Sequence, residues 1–255
     1  SRQFRLREPR YKQILPQAYA TLVSSDAFKE TVQWRYRLNP QNVHTAPMIP
    51  RKLFQSSTSN TVDILTKFSL SAPYIFYPAQ FWAHKNHMYI LDALLLMKQQ
   101  NNPVHAVFSG SDKGNLTYLK SVVAEIGLSD YVHFVGFVDE DDMVALYQQS
   151  IALVMPTLLG PTNLPPLEAF SLGVPVVYSS QKGIGEFVGE SGFLVDLQDP
   201  KSLAVTLMLI LNKDPLVETK IKSGKAFLAN QASYTSVLQT IFDDYFYLQK
   251  RWKKS

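Results

Sequence analysis

The sequence contains no cysteine, no long apolar run and no signal-peptide core. The absence of cysteine excludes disulfides, thiolate nucleophiles and zinc–thiolate sites, and it agrees with a reducing compartment. No apolar run reaches the roughly 18 residues that a membrane-spanning helix needs. The first twelve residues carry five basic side chains and no apolar stretch. These absences predict a cytoplasmic, globular protein that does not cross a membrane by itself.

The formal net charge of +4 comes from the two ends of the chain. Residues 13–248 have 16 basic against 20 acidic side chains, which argues against a nucleic-acid groove along the fold. Solvated helix ends explain the basic termini, and the alternative is peripheral contact with an anionic membrane, such as its inner face. The chain begins without Met and within a helical pattern, so we expect a piece of a longer protein.

From about residue 73, short β-branched or aromatic runs alternate with helical patterns. Such alternation is typical of βα units on a parallel sheet. The predicted strands are residues 74–78, 104–109, 131–135, 151–155, 174–178 and 192–195. The predicted fold class is therefore α/β, with a doubly wound, Rossmann-like parallel sheet.

A smaller βα piece precedes this sheet, with a strand near residues 20–24, a helix at 29–37 and an extended segment at 43–49. It is too short for a complete sheet, so it predicts a partial second α/β domain. The polar run QSSTSN has linker composition and places a boundary between about residues 55 and 72. The predicted domains are residues 1–60, 61–235 and 236–255.

The last of these is a C-terminal helix with a pattern that runs from residue 233 to 253. It carries six aromatic residues: Tyr234, Phe242, Tyr245, Phe246, Tyr247 and Trp252. So many aromatic side chains need a surface to cover. We therefore expect the helix to pack toward the N-terminal domain.

The segment PTLLGPTNLPPLEAFSLGVPVVYS, residues 156–179, runs from a strand through a Pro/Gly-rich loop into a helix. Ligands of doubly wound sheets bind outside the carboxyl ends of the strands. The helix begins with prolines, which have no N–H, so the free amides belong to Thr162, Asn163 and Leu164, where they attract phosphate. We expect Glu168 in the first helical turn, accepting hydrogen bonds from ribose hydroxyls. The alternative is a carboxylate that only complements the helix dipole.

This segment resembles the signature of the family 4 retaining glycosyltransferases, in which two glutamates flank a Gly-rich donor loop. The resemblance covers roughly residues 74–250 and implies the C-terminal, donor-binding domain of a GT-B fold, preceded by the tail of the acceptor-binding domain. It implies that Glu168 binds the donor ribose and that the loop amides hold the donor. The first glutamate falls on Gly160. Either Thr162 or Asn163 and backbone replace it, or activity is compromised.

A second segment, FYPAQFWAHKNH at residues 76–87, resembles the phosphate clamp of that family. Lys85 matches its lysine and is the expected catalytic residue, which would stabilise the leaving diphosphate. Gln80 stands in place of an arginine and offers no charge. A solvated loop lysine is the alternative for Lys85. The resemblance also places the nucleobase near the backbone of Val138 and the nucleotide near Gly110, for which a plain turn glycine is an equal alternative.

Three other patterns are weaker. The run GSDKGNLT, residues 110–117, lacks the spacing of a P-loop. Residues 139–141 spell an acidic triplet at a helix start, where acids favour the dipole, so we expect capping. His84 and His87 have no third ligand nearby, and a polar loop explains them better than a metal site. We expect neither a metal nor a cofactor.

The resemblance implies a hexosyltransferase that moves a sugar from a nucleotide-diphosphate donor to a glycan or lipid-linked acceptor, with retention. Because most of the first domain is missing, we expect this piece to bind nucleotide sugar but to transfer little of it. Two alternatives stay open. One is a sugar-nucleotide epimerase of the same fold. The other is a non-catalytic nucleotide-sugar-binding subunit, which Gly160 and Gln80 would fit.

Overall fold

The computed structural model describes residues 2–46, 48–50, 54, 63–160, 164–230 and 234–252. The chain forms two compact units, one of residues 50–229 and one of residues 1–49 together with 230–255. The predicted boundary begins within residues 55–62, which lie outside the described part of the chain. The assignment of the chain ends to an acceptor-binding domain stays a prediction.

The larger unit is built on a six-stranded parallel sheet. Its strands are β3 (Tyr74–Pro78), β4 (His105–Ser109), β5 (Val132–Gly136), β6 (Ala152–Met155), β7 (Val176–Ser179) and β8 (Phe193–Val195). The spatial order is β5-β4-β3-β6-β7-β8. The winding direction therefore reverses between β3 and β6, where Phe76 lies opposite Leu153. This confirms the predicted doubly wound α/β fold.

Seven helices are described in this unit. They are α3 (Ile64–Phe68), α4 (His87–Gln99), α5 (Leu116–Glu125), α6 (Glu140–Gln149), α7 (Leu164–Leu172), α8 (Pro200–Leu211) and α9 (Pro215–Ala229). Strands β3 and β6 are buried along nearly their whole length, as expected for a parallel sheet covered on both faces. The acidic triplet begins α6 as predicted, since the Asp139 carboxylate caps the helix by accepting from the Asp142 N–H at 2.8 Å.

The smaller unit consists of α1 (Arg2–Ile14), β1 (Thr21–Val23), α2 (Asp26–Tyr36), β2 (Val43–Thr45) and α10 (Tyr234–Trp252). Strands β1 and β2 are parallel, which confirms a partial α/β domain. Helix α2 begins three residues before the predicted start, because the Ser25 side chain caps it by accepting from the Phe28 N–H at 3.2 Å.

Helix α10 packs within the smaller unit. The Tyr245 ring lies edge-on to the Tyr19 ring at 5.4 Å between centroids. Phe242, Phe246 and Tyr247 on the same helix stay at least half exposed. No helix in the described part of the chain is long and apolar enough to cross a membrane.

Candidate functional site

Two loops meet at the point where the winding of the sheet reverses. One follows β3 and contains Lys85, and the other follows β6 and leads to Gly160. The Leu158 N–H donates to the His84 carbonyl oxygen at 2.9 Å, and the Thr157 hydroxyl approaches the same oxygen at 3.4 Å. Ligands of doubly wound folds bind at this topological switch point, outside the carboxyl ends of the strands. The structure therefore brings the two predicted segments together.

Lys85 ends a short 3-10 helix, Ala83–Lys85, directly before α4. Its backbone carbonyl accepts from the Tyr77 hydroxyl at 2.9 Å, which ties the loop to strand β3. The side chain is partly buried, and this burial lowers the pKa of its ammonium. A partly desolvated cation at the switch point interacts more strongly with an anion than a fully hydrated lysine does.

Gln80 lies exposed on the same loop. Its side-chain carbonyl oxygen accepts from the indole N–H of Trp82 at 2.9 Å, and its backbone carbonyl accepts from the Trp82 N–H at 2.8 Å. The amide therefore holds the neighbouring tryptophan in addition to any role toward a ligand. The role of Gln80 as a donor to phosphate stays a prediction.

Gly110 follows β4 and packs against the backbone of the loop after β3. A Cβ at this position would lie 2.3 Å from the Ala79 carbonyl oxygen and 2.9 Å from the Gln80 nitrogen. Its φ of +152° also lies in the region that favours glycine. This close approach accounts for glycine by itself, so contact between Gly110 and a nucleotide stays a prediction.

Val138 lies just beyond strand β5, with its side chain buried. The preceding Phe137 is 89% exposed, and Gly136 turns the chain with a φ of +72°. The contact with a nucleobase itself stays a prediction.

The loop after β6 turns at Gly160, whose φ is +100°. Thr162 and Asn163 lie outside the described residues. Leu164 is the first residue of α7, which confirms that a helix follows the loop after β6. The two prolines of α7, Pro165 and Pro166, fit the first helical turn because N–H groups there have no intrahelical partner.

The prediction that Glu168 lies in the first turn of α7 is wrong. The helix begins at Leu164, so Glu168 is its fifth residue and belongs to the second turn. Its side chain is buried, with 6% of the residue exposed, and its Oε2 accepts from the Tyr147 hydroxyl at 2.9 Å. Tyr147 lies on α6, and its ring packs edge-on against Phe76 of β3. The carboxylate is thus fixed by a neighbouring helix.

Sequence reasoning missed Tyr147, because nothing in the sequence near residue 147 indicates a partner 21 positions away. It also placed His87 in a polar loop, which is wrong. His87 is the first residue of α4, only 1% exposed, and its ring lies about 5 Å from the rings of Tyr77, Phe81 and Phe108. Neither ring nitrogen has a hydrogen-bond partner among the described residues.

Burial, followed by the charge of Lys85, lowers the pKa of His87 to about 3. The ring is therefore neutral in the folded protein at ordinary pH, and it behaves as a core side chain. Burial also lowers the pKa of His84, which stacks on Trp82 with 6.2 Å between ring centroids. Within the described ranges no cluster of three His, Asp or Glu side chains is arranged to hold a metal ion.

A family model for the glycosyl transferases group 1 matches residues 66–227, which is more than half of the chain. The chain belongs to this family. It is 26% identical over 172 residues to O-antigen chain mannosyltransferase B of Escherichia coli, covering 67% of this chain and 45% of that relative. It is 30% identical over 128 residues to D-inositol 3-phosphate glycosyltransferase of Corynebacterium urealyticum, covering 48% and 30%. The chain thus spans less than half the length of these relatives.

Solved structures show the same fold. One is Anabaena HepE in complex with UDP, with a TM-score of 0.74 and 19% identity, covering 89% of this chain and 63% of that chain. Another is sucrose-phosphate synthase from Thermosynechococcus elongatus, with a TM-score of 0.74 and 24% identity, covering 96% and 62%. At these identities the likeness establishes the fold, and the family membership together with this fold confirms the resemblance to the GT-B glycosyltransferases.

Proposed function

We propose that the protein to which this chain belongs transfers a hexose from a nucleoside-diphosphate donor to a glycan or lipid-linked acceptor, with retention at the anomeric carbon. The observation that carries the proposal is the junction of two loops at the switch point, where Lys85 follows β3 and the start of α7 follows the adjacent strand β6. Family membership supports the reaction class. The complexes of the structural relative HepE with UDP and with UDP-glucose support the donor class.

The chemical task of the site is to stabilise the negative charge that develops on the leaving diphosphate. Lys85 would supply a positive charge there, and the N-terminus of α7 would add free amides and the positive end of its dipole. Donors of this kind contribute on the order of 100-fold to 1000-fold to the rate. Neither group needs a metal ion, so we propose a metal-independent reaction.

Glu168 would bind the two ribose hydroxyls of the donor. Its carboxylate is oriented by the Tyr147 hydroxyl, so little conformational entropy is lost when the ribose binds. Val138, Gly110 and Gln80 would contribute backbone or amide contacts around the nucleotide. Thr162, Asn163 and Leu164 would hold the diphosphate and the transferred sugar through the loop before α7.

A second candidate function is that of a non-catalytic subunit that binds a nucleotide sugar. Two observations favour it: Gly160 offers no carboxylate to the transferred sugar, and Gln80, which offers no charge, has its amide oxygen bonded to Trp82. Such a protein would hold the donor through Lys85 and Glu168 without turning it over. We expect the isolated 255-residue chain to behave in this way too, since it spans less than half of its curated relatives.

The test uses the full-length protein with UDP-glucose and GDP-mannose, octyl glucoside and octyl mannoside as soluble acceptors, and a vesicle preparation of lipid-linked glycans. Lys85→Ala is expected to lower kcat about 100-fold or more and Lys85→Arg to restore part of it, because the lost charge acts on the leaving group. Lys222→Ala is the matched control, because that lysine is exposed and pairs with Glu218 one turn away on α9 at 3.5 Å.

Three outcomes separate the possibilities. Turnover that depends on Lys85 but not on Lys222 supports sugar transfer. If the protein binds the donor but neither transfers the sugar to any of the acceptors nor hydrolyses the donor, it is a binding subunit instead. Equal activity of the Lys85→Ala and Lys222→Ala proteins would contradict the assigned role of Lys85.

A further inference from the structure

Trp82 lies on the loop after β3, three residues before Lys85, and 43% of it is exposed. Several contacts fix its position. Its indole N–H donates to the Gln80 side chain at 2.9 Å, its ring stacks with the His84 ring at an interplanar angle of 27°, and its carbonyl accepts from the Lys85 N–H at 3.0 Å. A large aromatic ring is therefore held in one place at the switch point.

The supports of this ring are themselves fixed. The His84 carbonyl oxygen accepts a hydrogen bond from the Leu158 N–H in the loop after β6. The backbone at Gln80 is packed against Gly110 of the loop after β4. Three loops at the carboxyl edge of the sheet thus define where the indole lies. Preorganisation of this kind reduces the entropy that a binding partner must pay.

The chemistry of the exposed part follows from these bonds. The one polar atom of the indole is already paired with Gln80, so the ring offers a flat apolar surface to a ligand. A pyranose ring has a matching flat face made of C–H groups, while its hydroxyl groups point outward from the edge. Trp82 lies on the same loop as Lys85, for which a role toward the donor diphosphate is proposed above, so its exposed aromatic surface fits a sugar attached or delivered to that diphosphate.

We propose that Trp82 is a sugar-binding platform that stacks on a hexopyranose ring during the reaction. The proposal rests on the proposed function and deepens it, since it names a residue that selects and positions the sugar. The hexose comes either from the donor or from the acceptor, and both present the same ring chemistry. Gln80 and His84 act through Trp82 as positioning residues.

The test measures binding to the full-length protein by calorimetry, with Trp82→Ala, Trp82→Phe and Trp34→Ala. Trp34 lies on α2, is 81% exposed and provides the matched loss of an exposed indole. The ligands are UDP, UDP-glucose, GDP, GDP-mannose, octyl glucoside and octyl mannoside. Each pair of nucleotide and nucleotide sugar separates contact with the base from contact with the hexose.

Trp82→Ala is expected to weaken the binding of at least one sugar-bearing ligand by about 10-fold to 100-fold, which is the scale of aromatic stacking on a nucleobase. Binding of UDP and GDP is expected to stay within about 2-fold, and Trp82→Phe to recover much of the loss. Weaker binding of the nucleotide sugar assigns the platform to the donor hexose. Weaker binding of the alkyl glycoside, together with a raised KM for the acceptor at unchanged donor KM, assigns it to the acceptor.

The inference is overturned if Trp82→Ala binds every sugar-bearing ligand as Trp34→Ala does. It is also overturned if Trp82→Ala weakens the binding of UDP or GDP as much as that of the corresponding nucleotide sugar. That result would place the base, and not the hexose, on the indole. A wild-type protein that binds no nucleotide sugar contradicts the proposed function as well. If the wild-type protein binds and transfers sugar, and Trp82→Ala does both equally well, only the platform is contradicted and the proposed function stands.

Discussion

His87 makes the larger unit sensitive to acid. Its ring is buried among aromatic side chains with a pKa lowered to about 3, whereas an unfolded histidine has the ordinary value of 6.5. The unfolded state therefore binds a proton more readily than the folded state. The contribution of a neutral His87 to stability is full above pH 6.5 and is lost as the pH falls toward 3.

The magnitude follows from the two pKa values. At pH 5 the unfolded chain is protonated at this ring and the folded chain is not, so the free energy of unfolding drops by about 2 kcal/mol relative to pH 8. This is a large fraction of the roughly 5–15 kcal/mol that stabilises a typical domain. His105 and His133 act in the same direction, since burial lowers the pKa of both rings.

His87→Leu isolates the contribution of this one ring. Leucine fills a similar volume among Tyr77, Phe81 and Phe108 and cannot be protonated. The substitution shifts the overall stability through packing, but the quantity of interest is the loss between pH 8 and pH 5. That loss is expected to shrink by about 2 kcal/mol in the variant.

The measurement is urea unfolding of the 255-residue chain at pH 8, 7, 6 and 5, followed by tryptophan fluorescence. Trp34→Phe and Trp252→Phe leave Trp82 as the one reporter, and it belongs to the larger unit. His44→Leu, in β2 of the smaller unit, is the control. The reasoning is refuted if wild type and His87→Leu lose the same free energy of unfolding between pH 8 and pH 5, or if the His87 ring titrates near 6.5 by NMR.

Two further predictions concern the carboxyl edge of the sheet. Tyr147→Phe removes the hydroxyl that donates to Glu168 and is expected to destabilise the larger unit by about 1–3 kcal/mol. It should also weaken UDP binding several-fold. If neither the free energy of unfolding in urea nor the calorimetric affinity for UDP changes, Tyr147 does not hold the carboxylate in place. Gly110→Ala forces a Cβ against the Ala79 carbonyl and is expected to cost about 3 kcal/mol or more. Gly114→Ala, where a Cβ meets nothing within 4 Å, isolates the cost of a positive φ, so equal midpoints for the two variants would contradict the steric account.

The strands of the larger unit could be predicted because each is a short run of β-branched or aromatic residues between polar or Gly/Pro segments. All six observed strands lie within two residues of the predicted bounds. The shifts have local causes. Strand β7, for example, begins at Val176, after Pro175, which has no N–H for the sheet.

The candidate site could be located in the same way, because the carboxyl ends of parallel strands lie at one edge. Lys85, Gly110, Val138 and Leu164 each follow a predicted strand, and the structure places all four beyond the carboxyl ends of β3 to β6. The chemistry of the site is set by residue types in loops, which are read directly from the sequence. The prediction for Glu168 was wrong because the two prolines are compatible with several positions in a first helical turn and do not fix the residue at which α7 begins.

The sequence by itself determined the alternation of strands and helices, the loops that carry Lys85 and Leu164, and the acidic cap of α6, because each depends on neighbours along the chain. Only the tertiary structure decided that Tyr147 holds Glu168, that His84 is joined to Leu158 and that His87 is buried. These contacts join residues that are far apart in sequence, or depend on how several elements enclose one side chain. Their partners are chosen by the packing of helices on the sheet, which no local pattern encodes.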